Sequence, residues 1–304
     1  MTTTNYTSAD LTYAFLLQEI LRFNNVVETR NHACYCNPFL ANVTFDSLPL
    51  ITVRKTAWKL ALTEMEWFMS GKPECPEKLA KWWVGQLNYE GWYMDGYPHQ
   101  FRDYSYCDRK TDELDGFDQI VYILDGLKNH PHSRRLVMTS WNTGEMANIT
   151  KTNENPNTPS TCHGSLVQFF VVDGAVHIKH YQRSSDFLLG ISHNFVQYWA
   201  LLTYFAFHSN LKIGSLTWVF GDAHIYNEES HIEAAKEIIK FGMNRVKDGS
   251  IGLVRTPDPE IKLNLVYNYS GELDSFGTPK FNAADFTIEG EIPKPTVLTK
   301  PKLL

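Results

Sequence analysis

Two apolar runs joined by a two-residue turn place the strongest constraint on the fold of this chain. The runs are Val167–Val172 and Val176–Tyr181, and Asp173 and Gly174 lie between them. An Asp-Gly pair between two extended segments is a strong local signal for a β-hairpin. Further along, Phe195–Phe207 is apolar almost all round, which predicts a helix buried on every face. The sequence therefore predicts a sheet and a buried helix within one core.

The other segments mix helical and extended patterns. Helices are predicted over Ser8–Phe23 with Ser8 as N-cap, over Thr56–Met69 and Phe117–Asn129, and over Ser230–Phe241 as an exposed helix. Extended segments are predicted over Val43–Val53, Arg135–Trp141, Leu216–Phe220 and Ile261–Tyr267. The stretch 72–114 is aromatic and irregular, and 150–160 is a polar loop. Without regular strand–helix–strand alternation, repeats or linkers, the pattern favours a single α+β domain over residues 1–304.

Composition limits the classes of function. The net charge of −6 argues against nonspecific nucleic-acid binding. No apolar run reaches the roughly 18 residues of a membrane span, and the N-terminus lacks the pattern of a secretory signal. Five irregularly spaced cysteines indicate neither a disulfide framework nor a zinc motif. An aromatic content of 13% fits either a large core or a cleft with stacking surfaces. We expect a cytoplasmic protein with no metal, membrane or nucleic-acid partner.

Cys162 is the candidate nucleophile. The polar segment 157–161 before it places it in a loop or at a strand edge rather than in the core. A reactive thiol needs a lowered pKa, which either the adjacent His163 or a nearby arginine would supply. A thiol protease is the alternative for a Cys-His pair, but it needs a separate histidine, an orienting group and an oxyanion hole. It also leaves the arginines of this chain unexplained.

Several arginines offer the forked donors that hold a phosphate monoester. Arg183 and Ser184 follow an apolar strand, whereas Arg134 and Arg135 are equally compatible with a solvated charge pair. A phosphorylated substrate would be held by these groups, since the chain as a whole is acidic.

Four further residues suit a nucleotide and chemistry on its base. Asn194 opens the buried helix, where it is either an N-cap or an amide suited to the O4/N3 edge of uracil; a carboxylate there would suit cytosine. His224 and Tyr226 are two residues apart, so they share a face and suit a sugar hydroxyl. Glu64 lies among apolar neighbours as either an exposed salt-bridging group or a buried general acid/base.

These segments together resemble the thymidylate synthase family, from about residue 30 to the C-terminus. The resemblance rests on Cys162-His163, on the Tyr-Gln-Arg-Ser-x-Asp-x-x-Leu-Gly run 181–190 and on the Gly-Asp-x-His-x-Tyr run 221–226. The segments 64–71 and 97–102 are similar to the family's Glu-Leu-x-Trp-Phe-Leu-x-Gly and Tyr-Gly-x-Gln-Trp-Arg. The resemblance implies a mixed β-sheet flanked by helices, with sheets packing across a homodimer.

The resemblance also implies a reaction. Cys162 would add to C6 of dUMP, and C5 would take a one-carbon unit from 5,10-methylenetetrahydrofolate while Glu64 handles protons near O4. The other residues implied as catalytic are His163, Tyr97 and His193. Those implied in nucleotide binding are Arg30, Arg134, Arg135, Gln168, Arg183, Ser184, Asn194, His224 and Tyr226, with Arg134 and Arg135 donated across the dimer and Gln168 holding the cysteine loop. Those implied in folate binding are Asp186, Gly190, Trp83 and Leu304.

Departures from the family pattern cluster on the folate side. Thr161 replaces the usual proline before the cysteine, and Ser192-His193 replaces Pro-Phe before Asn194. The loop after Arg30 and the C-terminal tail also differ. Trp82, Trp83 and Trp92 compete for the place of the tryptophan near the reacting carbon.

These departures bear on the last step of the reaction. A hydride from folate gives thymidylate, and this needs water excluded from the site, whereas water gives 5-hydroxymethyl-dUMP. A polar His193 in place of phenylalanine favours the hydroxymethylase, a type of enzyme found in viruses that modify their DNA. The alternatives are a divergent thymidylate synthase, dCMP as the substrate, and a non-catalytic nucleotide-binding relative.

Overall fold

A seven-stranded mixed sheet forms the centre of the molecule. The computed structural model describes residues 6–29, 32–88, 90–93, 96–143, 161–244 and 261–302. The strands are β1 Val26–Glu28, β2 Ala33–Asn37, β3 Val43–Phe45, β4 Tyr104–Asp108, β5 Glu113–Phe117, β6 Val137–Met138, β7 Leu166–Val172, β8 Ala175–Asp186, β9 Lys212–Tyr226, β10 Asn264–Tyr267 and β11 Phe286–Glu289. The main sheet has the order β1-β2-β9-β8-β7-β6, with β3 also on β9, while β4-β5 and β10-β11 form separate hairpins.

Helices pack around this sheet. They are α1 Ser8–Phe23, α2 Trp58–Ser70, α3 Glu77–Trp83, α4 Tyr97–Arg102, α5 Gln119–Asn129, α6 Ile191–His208 and α7 Glu229–Met243, with a short 3₁₀ turn at Ala283–Asp285. No helix in the described ranges is long and apolar enough to cross a membrane. The mixed sheet and its helices confirm the predicted α+β class.

The predicted hairpin is confirmed and orients the site. Asp173 and Gly174 both have positive φ, at 51° and 74°, as the tight turn between β7 and β8 requires. β8 then pairs in parallel with β9, from Ala175 opposite Lys212 to Asp186 opposite His224. A parallel pair needs a crossover connection, and α6 provides it. The carboxyl ends of β8 and β9 therefore lie side by side at the start of α6.

The buried helix is confirmed as well. From Ile191 to Ala206, every residue of α6 except His193 is buried. α1 spans the predicted residues, but its N-cap is Thr7 rather than Ser8, because Thr7 and Asp10 form a reciprocal capping box.

Other predicted boundaries were wrong. Val43–Val53 forms a strand only to Phe45, because the chain bends at Asp46 and Ser47, just before Pro49. Arg135–Trp141 is a strand only at Val137–Met138, and Leu216–Phe220 is the middle of the fifteen-residue strand β9. The irregular stretch 72–114 contains α3, α4, β4 and the start of β5. The predicted loop 150–160 lies outside the described residues.

The helix predicted to be exposed, α7, is amphipathic. Its buried residues recur at helical spacing, and they are His231, Ala234, Ala235, Ile238, Phe241 and Gly242. This face packs on α1 so closely that a Cβ on Gly242 would come within 2.6 Å of the Ala14 Cβ. The polar residues on the opposite face of α7 led to the prediction that the helix is exposed.

Candidate active site

Hydrogen bonds from two other elements fix the loop that carries Cys162, just before β7. The Tyr97 hydroxyl oxygen on α4 accepts the backbone N–H of Cys162 (2.6 Å) and of His163 (3.2 Å). From β8, the backbone N–H of Arg183 donates to the Cys162 carbonyl oxygen at 3.1 Å. With its backbone held on both sides, the half-buried thiol keeps a defined position.

Arg183 is the cation next to the thiol. Its Nη2 lies 3.7 Å from Cys162 Sγ, and its Nε donates to the Thr161 carbonyl at 2.8 Å. The guanidinium also lies over the Trp141 ring, 5.0 Å from the centroid. Burial raises the pKa of Cys162, Arg183 lowers it and Asp186 raises it, and the net result is above the ordinary value. The resting group is therefore a thiol, and Arg183 is placed to stabilise the thiolate when the proton leaves.

His163 does not supply the positive charge that its position beside Cys162 suggested. Its ring stacks on Tyr97 at 4.4 Å and 11°, and its Nδ1 lies 3.0 Å from the Tyr198 hydroxyl. Burial lowers the pKa of His163 to about 3, so the ring is neutral at physiological pH. Of the two groups expected to lower the pKa of the thiol, only the arginine carries charge.

Glu64 on α2 is the buried alternative of the two that the sequence allowed. Its Oε1 accepts from Trp83 Nε1 at 2.5 Å, and its Oε2 accepts from Gln197 Nε2 at 2.6 Å. Burial raises the pKa of Glu64 to about 7, against the lowering effect of both hydrogen bonds. A carboxyl group with this pKa is available as both acid and base near neutral pH.

Asn194 belongs to a chain of three amides and does not cap the helix, since the N-cap position is Gly190. Asn194 Oδ1 accepts from Gln182 Nε2 at 3.2 Å, and its Nδ2 donates to Gln197 Oε1 at 3.0 Å. Gln182, Asn194 and Gln197, here called the amide chain, are all buried. Because Gln197 also donates to Glu64, the amide chain joins β8 to the carboxyl group on α2.

His193 points away from its neighbour Asn194, toward the start of α2. Its Nδ1 lies 3.0 Å from the Leu189 carbonyl, its Nε2 accepts from the Ala57 N–H at 3.3 Å, and its ring is 5.3 Å from Trp82. Burial lowers the pKa of His193 to about 4, so the ring is neutral. These partners place the proton on Nδ1 and the lone pair on Nε2.

His224 and Tyr226 lie at the end of β9 on one face, as expected, with ring centroids 5.3 Å apart. His224 Nδ1 is 3.3 Å from Asp222 Oδ2. Burial lowers the pKa of His224, but the side-chain contact with Asp222, together with the charges of Asp186 and Asp222, outweighs burial, and the net pKa is raised. Ser184 on β8 is the register partner of Asp222, so these side chains gather where β8 and β9 end.

A family model described as thymidylate synthase matches residues 11–299, nearly the whole chain. The chain belongs to the thymidylate synthase family. This family transfers a one-carbon group to C5 of dUMP with methylenetetrahydrofolate as the co-substrate, and the protein is a one-carbon transferase.

Individual thymidylate synthases show similarity over most of the chain. The thymidylate synthase of Homo sapiens is 31% identical over 310 residues, covering 95% of this chain and 89% of the relative. That of Human herpesvirus 8 type P (isolate GK18) is 31% identical, covering 83% and 71%. That of Buchnera aphidicola subsp. Acyrthosiphon pisum (strain Tuc7) is 33% identical, covering 75% and 82%.

The remaining residues implied by the thymidylate synthase resemblance are more dispersed. Arg134 and Arg135 are exposed just before β6. The side-chain hydrogen bond of Gln168 goes to the Arg134 carbonyl at 3.3 Å, so in the described structure Gln168 anchors the arginine segment rather than the cysteine loop. Arg30 and Leu304 lie outside the described residues.

Two residues of the implied folate side shape the turn into α6. Asp186 Oδ1 accepts from the N–H groups of Leu188 and Leu189, both at 2.9 Å, and Gly190 begins the helix. Trp83 rather than Trp82 contacts Glu64. Across the described ranges, no three His, Cys, Asp or Glu side chains converge in a way that would hold a metal ion.

Four residues of the site were not predicted from the sequence. Gln182 and Gln197 complete the amide chain, and the Trp141 ring packs against the guanidinium of Arg183. The fourth is His180, whose Nε2 accepts a hydrogen bond from the N–H of Gly164, next to His163, at 2.8 Å. The sequence did offer one signal. Gln197 is a polar residue within an apolar helix, three positions after Asn194, so the two side chains share a face.

Proposed function

We propose that this thymidylate synthase family member acts on dUMP and methylenetetrahydrofolate and forms 5-hydroxymethyl-dUMP. The residues fit a pyrimidine nucleotide: Cys162 lies beside Arg183, and the amide chain lies beside Glu64. In addition, Gln182 Oε1 is a buried acceptor without a hydrogen-bond partner among the described residues. Methylenetetrahydrofolate, when bound, supplies the one-carbon unit.

The first half of the proposed reaction uses the fixed thiol. Cys162 gives its proton to water, with Arg183 stabilising the thiolate, and Sγ forms a bond to C6 of the base. Negative charge then develops at C5 and O4. Protonated Glu64 stabilises the charge at O4 by donating a hydrogen bond to it, directly or through an intervening water. C5 bonds to the one-carbon unit and gives its proton to water, and the nitrogen of tetrahydrofolate leaves with the proton of Glu64, so that an exocyclic methylene remains on C5 and Glu64 becomes a carboxylate.

The proposal of a hydroxymethyl product rests on His193. Its polar ring stands where the family pattern has phenylalanine, and it packs on Trp82. The 3.3 Å bond from the Ala57 N–H to Nε2 is long, and that N–H belongs to the open end of α2, where water can satisfy it instead. A neutral Nε2 accepts a hydrogen bond from water and so orients it, while its pKa of about 4 is too low for proton removal.

Glu64 is the base in the proposed final step. Water adds its oxygen to the methylene carbon, its proton goes to the Glu64 carboxylate, and Sγ leaves C6 to restore the ring double bond. A pKa of about 7 suits a group that gives up a proton in the first half and takes one in the second.

Thymidylate is the second candidate product, because the similar proteins from human, herpesvirus and Buchnera are all thymidylate synthases. In that reaction a hydride reduces the methylene and dihydrofolate is released. The two reactions share every step up to the methylene, so the residues that govern water decide between them.

A turnover assay with dUMP and methylenetetrahydrofolate separates the two candidates. We expect a nucleotide that is heavier than thymidylate by one oxygen, together with tetrahydrofolate. His193→Phe should shift the product toward thymidylate, and His130→Phe, an exposed control, should not. Thymidylate and dihydrofolate from the wild type would establish the second candidate, and an unchanged product ratio in the His193 variant would remove His193 from the water-handling role.

We also propose that the protein works as a homodimer that pairs the outer faces of its sheets. On one face of β7, Leu166, Phe170 and Val172 are apolar and exposed, at 43%, 37% and 54%, while Gln168 between them is polar and partly buried. Tyr181, opposite Leu166 on β8, is 39% exposed. An exposed and largely apolar face of this kind marks an interface, and a twofold axis lets one patch cover itself.

Subunit mixing tests the dimer and the shared arginines. Cys162→Ser and the double variant Arg134→Ala/Arg135→Ala should each be inactive. If the arginines act across the interface, mixed dimers contain one site with all native residues, and up to about a quarter of wild-type activity should return after statistical exchange of subunits. A mixture without activity, with exchange shown by sedimentation of tagged subunits, would place the arginines in their own subunit's site or outside it.

A further inference from the structure

We infer that Gln197 positions Asn194 for base recognition, by holding its amide in the orientation that accepts uracil and rejects cytosine. This inference rests on the proposed function. An unrestrained asparagine amide reads both bases, because a half turn exchanges its donor and acceptor. Selectivity therefore needs a structure that prevents the half turn.

The orientation of Gln197 is set by a backbone carbonyl. Its Nε2 donates to the Ala61 carbonyl oxygen at 3.2 Å as well as to Glu64 Oε2. A carbonyl oxygen only accepts, so the nitrogen must face Ala61 whether or not Glu64 is protonated. Gln197 Oε1 is thereby turned toward Asn194, where it accepts from Nδ2 at 3.0 Å.

A second backbone carbonyl sets the orientation of Gln182 on the opposite side. Its Nε2 donates to the Ser184 carbonyl oxygen at 2.9 Å and to Asn194 Oδ1 at 3.2 Å. Asn194 thus has an acceptor on one side and a donor on the other. A half turn of its amide would break both bonds and place like groups against each other.

The fixed amide then presents one N–H and one lone pair to the base in a set order. Uracil offers a carbonyl at O4 and an N–H at N3, which match that order. Cytosine offers an amino group at C4 and a lone pair at N3, which is the reverse. Both glutamines are buried, at 0% and 2% exposure, so water does not replace either contact. Each net hydrogen bond is worth a factor of about five, so the two together resist the half turn by a factor of about thirty.

Calorimetric titration with dUMP and with dCMP tests the inference without any turnover. The wild type should prefer dUMP. Gln197→Met, which keeps chain length and helix propensity, should lower the ratio of the two affinities by about fivefold or more. Gln182→Met removes the opposite contact from a strand rather than a helix and should lower the ratio similarly. Each variant is used only after its thermal unfolding shows that it is folded.

Trp83→Phe is the matched control. It removes the other hydrogen bond of Glu64 but leaves the amide chain intact, so turnover should change while the affinity ratio stays at the wild-type value. A folded Gln197→Met or Gln182→Met protein with the full wild-type ratio would overturn the inference and leave the proposed function standing. A wild type that binds neither nucleotide, or prefers dCMP, would overturn the proposed function and this inference with it.

Discussion

Replacing Glu64 with glutamine should remove a specific part of the pH dependence of stability. Glu64 is buried, at 8% exposure, and its two side-chain partners, Trp83 Nε1 and Gln197 Nε2, are donors. Burial nevertheless raises its pKa from the ordinary 4.5 to about 7. The folded protein therefore holds the Glu64 proton over a range in which the unfolded chain has released it.

The sign and the size follow from linkage. Between about pH 4.5 and about pH 7 the folded state binds one more proton at Glu64 than the unfolded state, so the free energy of unfolding falls as pH rises. The contribution is fully present below about pH 4.5 and lost above about pH 7. At about 1.4 kcal/mol per pH unit, this interval corresponds to about 3 kcal/mol. Because the group is buried, solvent screening does not reduce this figure much.

Urea unfolding of the wild type and Glu64→Gln at a series of pH values measures the effect. The stability of the wild type relative to the variant should fall by about 3 kcal/mol between about pH 4.5 and about pH 8. Other titrating groups cancel in the difference, because they are common to both proteins. Glu74→Gln, an exposed substitution near the end of the same helix, should follow the wild type. A difference between wild type and Glu64→Gln that stays constant with pH would refute the raised pKa.

Two further substitutions test the support of the site. Tyr97→Phe leaves the N–H groups of the Cys162 loop without their acceptor, which should lower the free energy of unfolding by about 1–3 kcal/mol. The kcat should fall at least tenfold, while the dissociation constant of dUMP changes less. An unchanged kcat would contradict this prediction. Arg102→Met leaves Asp118 (3.1 Å) and Asp274 (3.3 Å) without the buried cation between them, so urea unfolding should show a loss of about 3 kcal/mol; a loss under about 1 kcal/mol would mean that the pair is solvated.

The parts of the fold that local sequence determines were predictable. The turn at Asp173 and Gly174 needs positive φ at both positions, and few residue pairs supply it, so the turn was placed correctly, although β8 runs five residues beyond its predicted end. α1 was found because its apolar residues recur at helical spacing along its whole length. α6 is apolar all round, and such a helix can lie only inside a core.

The aromatic stretch after residue 72 could not be interpreted in this way. Trp83 on α3 and Tyr97 on α4 pack with Trp67 and Phe68 of α2, with ring centroids between 4.5 and 6.1 Å apart. These short helices are stabilised by contacts with another helix and not by their own periodicity. Their ends were therefore invisible without the tertiary structure.

The charges and pKa values of the site could not be predicted from the sequence either. The sequence places His163 beside Cys162, but adjacent side chains diverge, and the imidazole lies in a core that keeps it neutral. The cation comes instead from Arg183, twenty-one residues away on a neighbouring strand. Glu64 could be assigned to a helix, but its pKa depends on burial and on partners from α3 and α6, which only the folded chain brings together.

The amide chain also bears on how base recognition and proton transfer coexist around one carboxyl group. Gln197 contacts both Asn194 and Glu64, so a change of charge on Glu64 would disturb recognition if the carboxylate alone held the glutamine. The Ala61 carbonyl holds the same Nε2 in either state. Discrimination between dUMP and dCMP should therefore stay constant from about pH 6 to about pH 8, while kcat changes as Glu64 titrates near pH 7. Titrations with dUMP and dCMP across this pH range measure the ratio of the two affinities. A ratio that follows the titration of Glu64 would mean that the carboxylate rather than the backbone sets the orientation of Asn194.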